Sequence, residues 1–215
     1  STIIMVMALK PIYDLAKIKR VIVSTYQAVS GAGKEGIDEL DAQVREHSEG
    51  REMTANILPS ASAEKHYPIA FNLIPQIDVF CDNLYTKEEM KMVNETKKIM
   101  EDYEMRITAT TIRVPVYRSH SESVNIELEK EVDLGAMREA LAKFPGVTVQ
   151  DDPSKQEYPM PLYTSEKDDV YVGRLRRDES WEKSYNMWVV GDQIRKGAAL
   201  NTLQIAETMI KNGWI

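Results

Sequence analysis

Runs of hydrophobic residues with two different spacings divide the chain into helices and strands. Apolar residues three and four apart are typical of a helix that packs on a core, whereas alternation and β-branched runs are typical of strands. The predicted helices cover residues 1–15, 37–44 with a stop at Gly50, 86–100, 134–143 and 196–212. The predicted strands cover residues 19–28, 106–116, 121–129, 147–149, 169–175 and 186–190.

This order of elements indicates the fold class. Several strands follow one another closely enough to pair antiparallel, and helices separate the others. The helix 1–15 is apolar on most sides, which predicts that it is buried. We therefore expect an α/β (α+β) fold with a mixed, largely antiparallel sheet and flanking helices.

Two stretches lack the periodicity of a helix or strand. Residues 151–167 are polar and carry three prolines, so we expect a loop there. Residues 56–79 also carry three prolines but are rich in apolar residues. A long irregular stretch of this kind is usually functional or lies at an interface. We expect residues 56–79 to contribute to a two-fold contact that makes a homodimer.

Composition narrows the function classes. The formal net charge is −7 and no Lys/Arg run occurs, which argues against a nucleic-acid partner. No apolar run is long enough to cross a bilayer, so we expect no membrane partner. The single cysteine, Cys81, excludes an internal disulfide and fits a reducing cytoplasm. The three histidines share no metal-ligand spacing, so no metal site is expected.

The strand pattern of residues 112–124 contains Arg113 and His120. Pro115 cannot donate to a sheet ladder, so this run bends or lies at an edge. A bend would bring both side chains to one cavity, where Arg113 would hold an anionic group and His120 would move protons. The alternative is an exposed arginine and a surface histidine.

Glycine turns and helix starts supply a second group of candidates. Gln27 ends a strand just before Ser30 and Gly31, and strand ends that open into glycine turns are common ligand sites, although a plain turn fits equally well. Residues 191–199, which include Gln193, contain small residues at a helix start, and these permit close approach to a ligand or packing on another domain.

Glu95 and Lys98 lie three residues apart on one predicted helix face. Side by side, the carboxylate could hold an ammonium group and the lysine a phosphate or carboxylate. The alternative is a surface ion pair of little energetic weight.

Six segments in order resemble the bacterial type of aspartate-semialdehyde dehydrogenase. They are STYQAVSGAGKEGIDEL, FNLIPQID, YTKEEMKMVNETKKI, TIRVPVYRSHSESV, VYVGRLRRD and KGAALNTLQIAE, and the match extends over the whole chain. The resemblance implies that residues 1–195 form a catalytic and dimerisation domain like the C-terminal domain of glyceraldehyde-3-phosphate dehydrogenase-like enzymes. Residues 196–215 would form a helix that docks on an N-terminal NADP-binding domain.

The resemblance also implies roles for the candidate residues. His120 would be the acid/base histidine, and Gln27 would orient the acyl intermediate. Arg113 would bind the α-carboxylate of the substrate, Glu95 its amine and Lys98 the phosphate.

The remaining roles concern the cofactor and the nucleophile. Ser30, Gly31 and Gln193 would lie at the nicotinamide side of NADP. In the family the nucleophilic cysteine directly precedes a Ser-Thr pair at a helix start, where the helix dipole favours a thiolate. The pair is Ser1–Thr2 here, so the cysteine and the NADP-binding domain are expected before Ser1, and the chain alone is expected to be inactive.

The implied reaction is the reversible NADPH-dependent conversion of aspartyl-4-phosphate to aspartate-4-semialdehyde and phosphate, through a cysteine thioester. It serves lysine, methionine and threonine biosynthesis, and the enzyme would be a cytoplasmic homodimer. One alternative is N-acetyl-gamma-glutamyl-phosphate reductase, whose substrate has a blocked amine and needs no carboxylate such as Glu95. The other is a non-catalytic dimerisation fragment, because the chain lacks the expected cysteine.

Overall fold

A computed structural model describes residues 1–215, with six helices and six strands. The helices are α1 Thr2–Leu15, α2 Lys34–Ser48, α3 Lys87–Met100, α4 Leu134–Lys143, α5 Pro161–Thr164 and α6 Leu200–Lys211. The strands are β1 Ile18–Gln27, β2 Arg106–Arg113, β3 His120–Leu128, β4 Val147–Val149, β5 Val170–Arg177 and β6 Ser184–Gly191.

The strands form one sheet in the order β2-β1-β3-β6-β5-β4. The outer pairs, β1 with β2 and β4 with β5, are parallel, and the three inner pairs are antiparallel. The predicted mixed, largely antiparallel sheet with flanking helices is therefore confirmed. The strand β2 ends at Arg113 rather than at Val116, because Pro115 has no N–H to donate to a ladder.

Helix α1 lies at the centre of the helical layer. It packs against α3 and α4 and crosses the end of β6. Ile4, Met5, Leu9 and Ile12 are completely buried, and they join the inward-facing residues of the sheet in one hydrophobic core. The predicted burial of this helix is confirmed, and Pro11 lies inside it.

The irregular segment between α2 and α3 is held by buried polar side chains of α2. The Gln43 Oε1 atom accepts hydrogen bonds from the backbone N–H groups of Ile69 and Ala70, at 2.8 and 2.9 Å. The Glu39 Oε2 atom accepts from Asn56 and Ile57, both at 2.9 Å. Part of the apolar content of this segment therefore packs within the chain, in a small core beside α2.

The first turn of α3 is tied to the end of β2. Thr86 and Glu89 form a capping box, in which the Glu89 Oε2 atom accepts from the Thr86 N–H at 2.8 Å. The second carboxylate oxygen of Glu89 accepts from the Thr111 N–H at 2.9 Å. The chain turns back between α3 and β2, so the start of the helix lies beside the end of the strand.

The C-terminal third departs from prediction in two places. The expected loop at 151–167 contains a 3₁₀ turn, Pro153–Lys155, and the short helix α5. The expected helix from Lys196 begins with a π-helical turn, Arg195–Ala199, before α6. Its large apolar side chains are exposed at Leu203, Ile205 and Ile210. None of the helices has the length and apolar character that a bilayer span requires.

The tie between α3 and β2 generates a prediction about stability. Glu89→Gln replaces one of two acceptor oxygens by an NH₂ group, so either the Thr86 or the Thr111 N–H loses its partner at a site only 8% exposed. We expect the free energy of unfolding in urea to fall by about 1–3 kcal/mol. Glu95→Gln, on the same helix, should change it by less than about 0.5 kcal/mol, because Glu95 is half-buried and makes no hydrogen bond. Equal values for the two variants would contradict this prediction.

Candidate functional site

Three candidate side chains meet at one edge of the sheet. Gln27 and Arg113 are register partners at the ends of the parallel strands β1 and β2. His120 starts the antiparallel strand β3, at the same edge and next to β1. All three side chains are buried, each no more than 3% exposed. The bend predicted from Pro115 therefore brings Arg113 and His120 together, and neither is a surface residue.

The loop between β2 and β3 is fixed to the end of β1 by backbone hydrogen bonds. Val114 N–H donates to the Gln27 carbonyl at 3.0 Å, and Val29 N–H donates to the Val116 carbonyl at 2.8 Å. Ser119 has a left-handed backbone with φ of 68°, which is uncommon for any residue with a side chain. This conformation turns the chain into β3 and directs His120 inward.

The imidazole of His120 is anchored at one nitrogen. Its Nδ1 atom accepts a hydrogen bond from the Ala28 N–H at 3.2 Å, so the neutral ring carries its proton on Nε2. Burial lowers the pKa of His120 well below its usual value, and the nearby charges of Arg113 and Lys91 lower it further. The ring is therefore neutral at pH 7 and presents an N–H donor at Nε2.

The guanidinium of Arg113 is held by the backbone of Ala28 as well. Its Nη1 atom donates to the Ala28 carbonyl oxygen at 2.7 Å, whereas its Nε is buried without a partner. Burial lowers the pKa of Arg113 to about 10, against a raising effect of Glu88, so the group stays charged at neutral pH. A Cβ atom on Gly31 would lie 2.5 Å from Nη1 and 3.4 Å from Cε1 of His120. Glycine at this position lets the turn close over both side chains.

The first turn of α1 lies above this edge. Gly191 is the register partner of His120, and Ile4 packs directly over it. A Cβ atom at Gly191 would lie only 3.2–3.4 Å from side-chain carbons of Ile4. The backbone nitrogen of Ser1 lies close enough to His120 and Glu88 for a charge on it to affect the pKa values of both side chains. The N-terminal end of α1 therefore points into the region that His120, Arg113 and Gln27 surround.

The carboxylate that reaches this region is Glu88, whereas the predicted Glu95 lies further along α3. Glu88 Oε1 accepts from Gln27 Nε2 at 3.1 Å, and its other oxygen lies 3.5 Å from Lys91 Nζ. Burial raises the pKa of Glu88, whereas nearby Lys91 and the hydrogen bond from Gln27 lower it and favour the anion. Glu95 and Lys98 form no ion pair.

A repeat in the sequence of α3 offers two equivalent Glu–Lys pairs. Glu88–Lys91 and Glu95–Lys98 have the same spacing and lie about two turns apart on one helix face, roughly 10 Å along the axis. Periodicity alone cannot choose between them. The antiparallel packing of α3 on β2 decides, because the start of the helix is level with Arg113, whereas Glu95 and the exposed Lys98 lie further along. The sequence did contain a signal. A helix at 87–100 followed by a strand at 106–113 indicates a chain reversal, which places the start of the helix beside the end of the strand.

The predicted cofactor residues form a group beside this edge. Gln193 Nε2 donates to Ser30 Oγ at 2.6 Å, while Gln193 Oε1 is buried and has no partner. Gly31 follows Ser30, and a side chain at this position would clash with Arg113. The loop that carries Gln193 is fixed by the buried Asp192, which pairs with Arg118 at 2.7 Å.

Glu122 is a buried ionisable residue of this region that sequence reasoning missed. It is the next inward-facing residue of β3 after His120, it is 0% exposed, and neither of its carboxyl oxygens has a hydrogen-bond partner. Burial raises the pKa of Glu122 to about 8, and the nearby Glu88 acts in the same direction. The signal was available, because an acidic residue occupies an inward position between His120 and Val124.

Comparison with known proteins gives a consistent result. A family profile described as "Semialdehyde dehydrogenase, dimerisation domain" matches residues 9–196. A protein of Aquifex aeolicus (strain VF5) named aspartate-semialdehyde dehydrogenase is 53% identical over 215 residues, which are 100% of this chain and 62% of that protein. The chain therefore spans about 60% of the length of such relatives.

Solved structures give the same picture. Aspartate semialdehyde dehydrogenase II from Vibrio cholerae, solved also as a complex with ASA, has a TM-score of 0.91 and 44% identity, over 98% of this chain and 60% of that chain. A structure of aspartate semialdehyde dehydrogenase with NADP from Candida albicans has a TM-score of 0.68 and 22% identity, over 97% of this chain and 55% of that chain. At that identity the likeness concerns the fold alone. The resemblance noted from the sequence, and the fold that it implies, are confirmed.

Proposed function

We infer that this chain, which belongs to the family of semialdehyde dehydrogenase dimerisation domains, supplies the catalytic and dimerisation part of an aspartate-semialdehyde dehydrogenase. The proposed reaction is the reversible NADPH-dependent conversion of aspartyl-4-phosphate to aspartate-4-semialdehyde and phosphate. The observation that carries the proposal is one sheet edge at which a buried cation, a neutral imidazole, an amide and a carboxylate converge. The relatives bear the name of this enzyme.

The charged groups of this edge suit the proposed substrate, which has an α-carboxylate, an α-ammonium group and a phosphate. Arg113 has a planar guanidinium that can hold a carboxylate with two parallel hydrogen bonds, and its Nε is still without a partner. Glu88 is the carboxylate available for the ammonium group, and Lys91 is the cation available for the phosphate. These two residues replace Glu95 and Lys98 in our assignment.

His120 and Gln27 are the residues that would act on the reacting atoms. We propose that they work on a cysteine placed immediately before Ser1, the position implied by the family resemblance. Such a thiol would lie at the N-terminal end of α1, where the helix dipole favours a thiolate that attacks the acyl phosphate and forms a thioester. The Nε2–H of neutral His120 can donate to the oxygen that develops negative charge, and the Gln27 amide can orient the acyl group.

The cofactor assignment has one structural support. Gln193 Oε1 is a buried acceptor without a donor, which fits the N–H of a carboxamide such as that of nicotinamide. Ser30 would hold the Gln193 amide in place through its hydrogen bond, and Gly31 would leave the turn free of a side chain. When bound, NADPH would supply the hydride that reduces the acyl group to the aldehyde.

One observation separates this proposal from its closest alternative. N-acetyl-gamma-glutamyl-phosphate reductase acts on a substrate whose amine is acylated and carries no charge. A buried anion such as Glu88, directed at Gln27 and the head of α1, would have no cationic partner in that substrate. The charge of Glu88 therefore favours an amine-bearing substrate.

Three further assignments remain proposals. We propose a homodimer, because the family is described as a dimerisation domain and residues 56–79 expose Phe71 and Leu73. We propose that 1–195 is the catalytic and dimerisation domain and that 196–215 docks on an N-terminal NADP-binding domain, because the apolar side chains of α6 are exposed. A cytoplasmic location is proposed from the single cysteine.

The proposed reaction is tested with the full-length protein that carries this chain. We expect NADP-dependent oxidation of aspartate semialdehyde in the presence of phosphate, followed at the absorbance of NADPH. Arg113→Lys keeps the charge but loses the planar fork, so we expect kcat/KM to fall by about 100-fold or more through poor positioning of the substrate. A wild-type protein that is inactive on this substrate but reduces N-acetylglutamyl phosphate would favour the alternative.

The corrected assignment on α3 is tested by a pair of matched variants. Glu88→Gln removes the anion that faces Gln27, so we expect kcat/KM to fall about 10- to 100-fold, mainly through KM for aspartate semialdehyde. Glu95→Gln changes the same residue type two turns along the helix and should leave the kinetic constants within about twofold of wild type. If Glu95→Gln were the damaging variant, the sequence-based assignment would be restored.

The homodimer is tested by sedimentation equilibrium of the 24.5 kDa chain at micromolar concentration, where we expect a mass of about twice that value. Leu73→Asp, in the exposed part of residues 56–79, should shift the chain towards monomer. Leu162→Asp is the control, since Leu162 is equally apolar and 78% exposed but lies on α5. A monomeric wild type, or dissociation by the control alone, would count against this interface.

A further inference from the structure

The carboxyl group of Glu122 has no role in the reaction proposed above. Its side chain lies on the inward face of β3, with Thr25 of β1 and Val189 of β6 as its register partners. It is completely buried, and both oxygens lack a hydrogen-bond partner. A buried polar group without partners is costly to keep, so its presence here calls for a physical explanation.

The charged groups around this position come from three elements. Helix α3 contributes Glu88 and Lys91, and strands β2 and β3 contribute Arg113 and His120. Of these, Glu88 acts on the pKa of Glu122. The neighbouring strand β6 contributes only the apolar Val189 and the glycine that supports Ile4. Ser1 also has a buried hydroxyl without a partner.

Burial decides the ionisation of this carboxyl. It raises the pKa of Glu122 to about 8, and the anionic Glu88 acts in the same direction, so the protonated form predominates at pH 7. A carboxylate here would be a second buried anion beside Glu88, in a place where charges are poorly screened. The protonated form avoids that repulsion.

We infer that Glu122 is a further positioning residue for the proposed reaction: a buried, protonated carboxyl that keeps the space beneath the head of α1 free of a second negative charge. The inference rests on the proposed function. In that reaction a thiolate and then an anionic oxygen develop at the head of α1. A carboxylate beneath them would raise the energy of both, because like charges repel strongly where water is excluded. Loss of the Glu122 proton should therefore inhibit the reaction.

The activity test compares Glu122→Gln with wild type in the full-length protein, as kcat/KM from pH 6 to 9.5. Glutamine has the same shape as the protonated acid and cannot ionise, so at pH 7 we expect activity within about threefold of wild type. One pH unit above a pKa of about 8 only about a tenth of Glu122 keeps its proton. Between pH 7 and 9 the wild type should therefore lose about tenfold more activity than Glu122→Gln.

The control is Glu127→Gln on the same strand. Glu127 faces away from the core and pairs with Lys19 and Arg106 at 3.4 and 3.6 Å. This variant should therefore show the same fall in kcat/KM above pH 7 as wild type, which we call the alkaline limb. An alkaline limb that is identical in Glu122→Gln and wild type would overturn the inference. So would a large loss of activity in Glu122→Gln at pH 7, because that would mean that an ionised carboxylate is required.

A second measurement needs no dehydrogenase activity. In the 215-residue chain, the ¹³C signal of the Glu122 carboxyl should titrate near pH 8. Because the folded pKa is raised, the contribution of Glu122 to stability is present below about pH 4.3 and is lost as the pH rises towards 8. Wild type should therefore lose stability to urea relative to Glu122→Gln over that range. Titration below pH 6 would overturn the inference even if the variant does not fold.

The two tests distinguish the possible failures. A full-length protein without activity on aspartate semialdehyde would refute the proposed function and, with it, the role of Glu122 in that reaction. The titration of the carboxyl would still decide whether Glu122 is protonated. Activity on that substrate together with an unchanged alkaline limb in Glu122→Gln would refute the inference alone.

Discussion

The burial of one apolar helix determines where this site can form. Helix α1 has almost no polar surface, so it is stable only in the centre of the helical layer, between the sheet and its neighbours α3 and α4. That position directs its N-terminal end at the edge where β1 and β2 end and β3 begins. A helix N-terminus carries a partial positive charge, and it lies here among buried side chains rather than in water. The electrostatics of the site follow from this packing.

The polar groups around the helix end are arranged so that few charges are left without compensation. Arg113 and Glu88 carry opposite charges and influence each other, whereas His120 stays neutral because burial and nearby cations disfavour its protonation. Gln27 links the carboxylate to the strand end. Such a layout is fixed before any substrate arrives, which is what preorganised stabilisation of charge requires.

Sequence reasoning reached the fold and much of the site for identifiable reasons. The strand and helix periodicities were strong, and Pro115 marked the bend that joins Arg113 to His120. The sequence did not distinguish Glu88 from Glu95, because a seven-residue repeat presents two equivalent pairs on one helix face and only tertiary packing separates them. Glu122 escaped notice because a charged residue in a strand is normally assigned to the exposed face. Its environment depends on which helix covers that face, and periodicity does not provide that information.

The backbone of Ala28 has a consequence for how this protein responds to mutation. Its N–H holds the imidazole of His120 and its carbonyl holds the guanidinium of Arg113. An alanine scan would not change this position, because the residue is already alanine. Most small side chains there would leave both backbone hydrogen bonds intact. A residue central to the site can thus look tolerant in a substitution map. Only changes to the main chain itself, such as proline or a backbone ester, would reveal what the residue does.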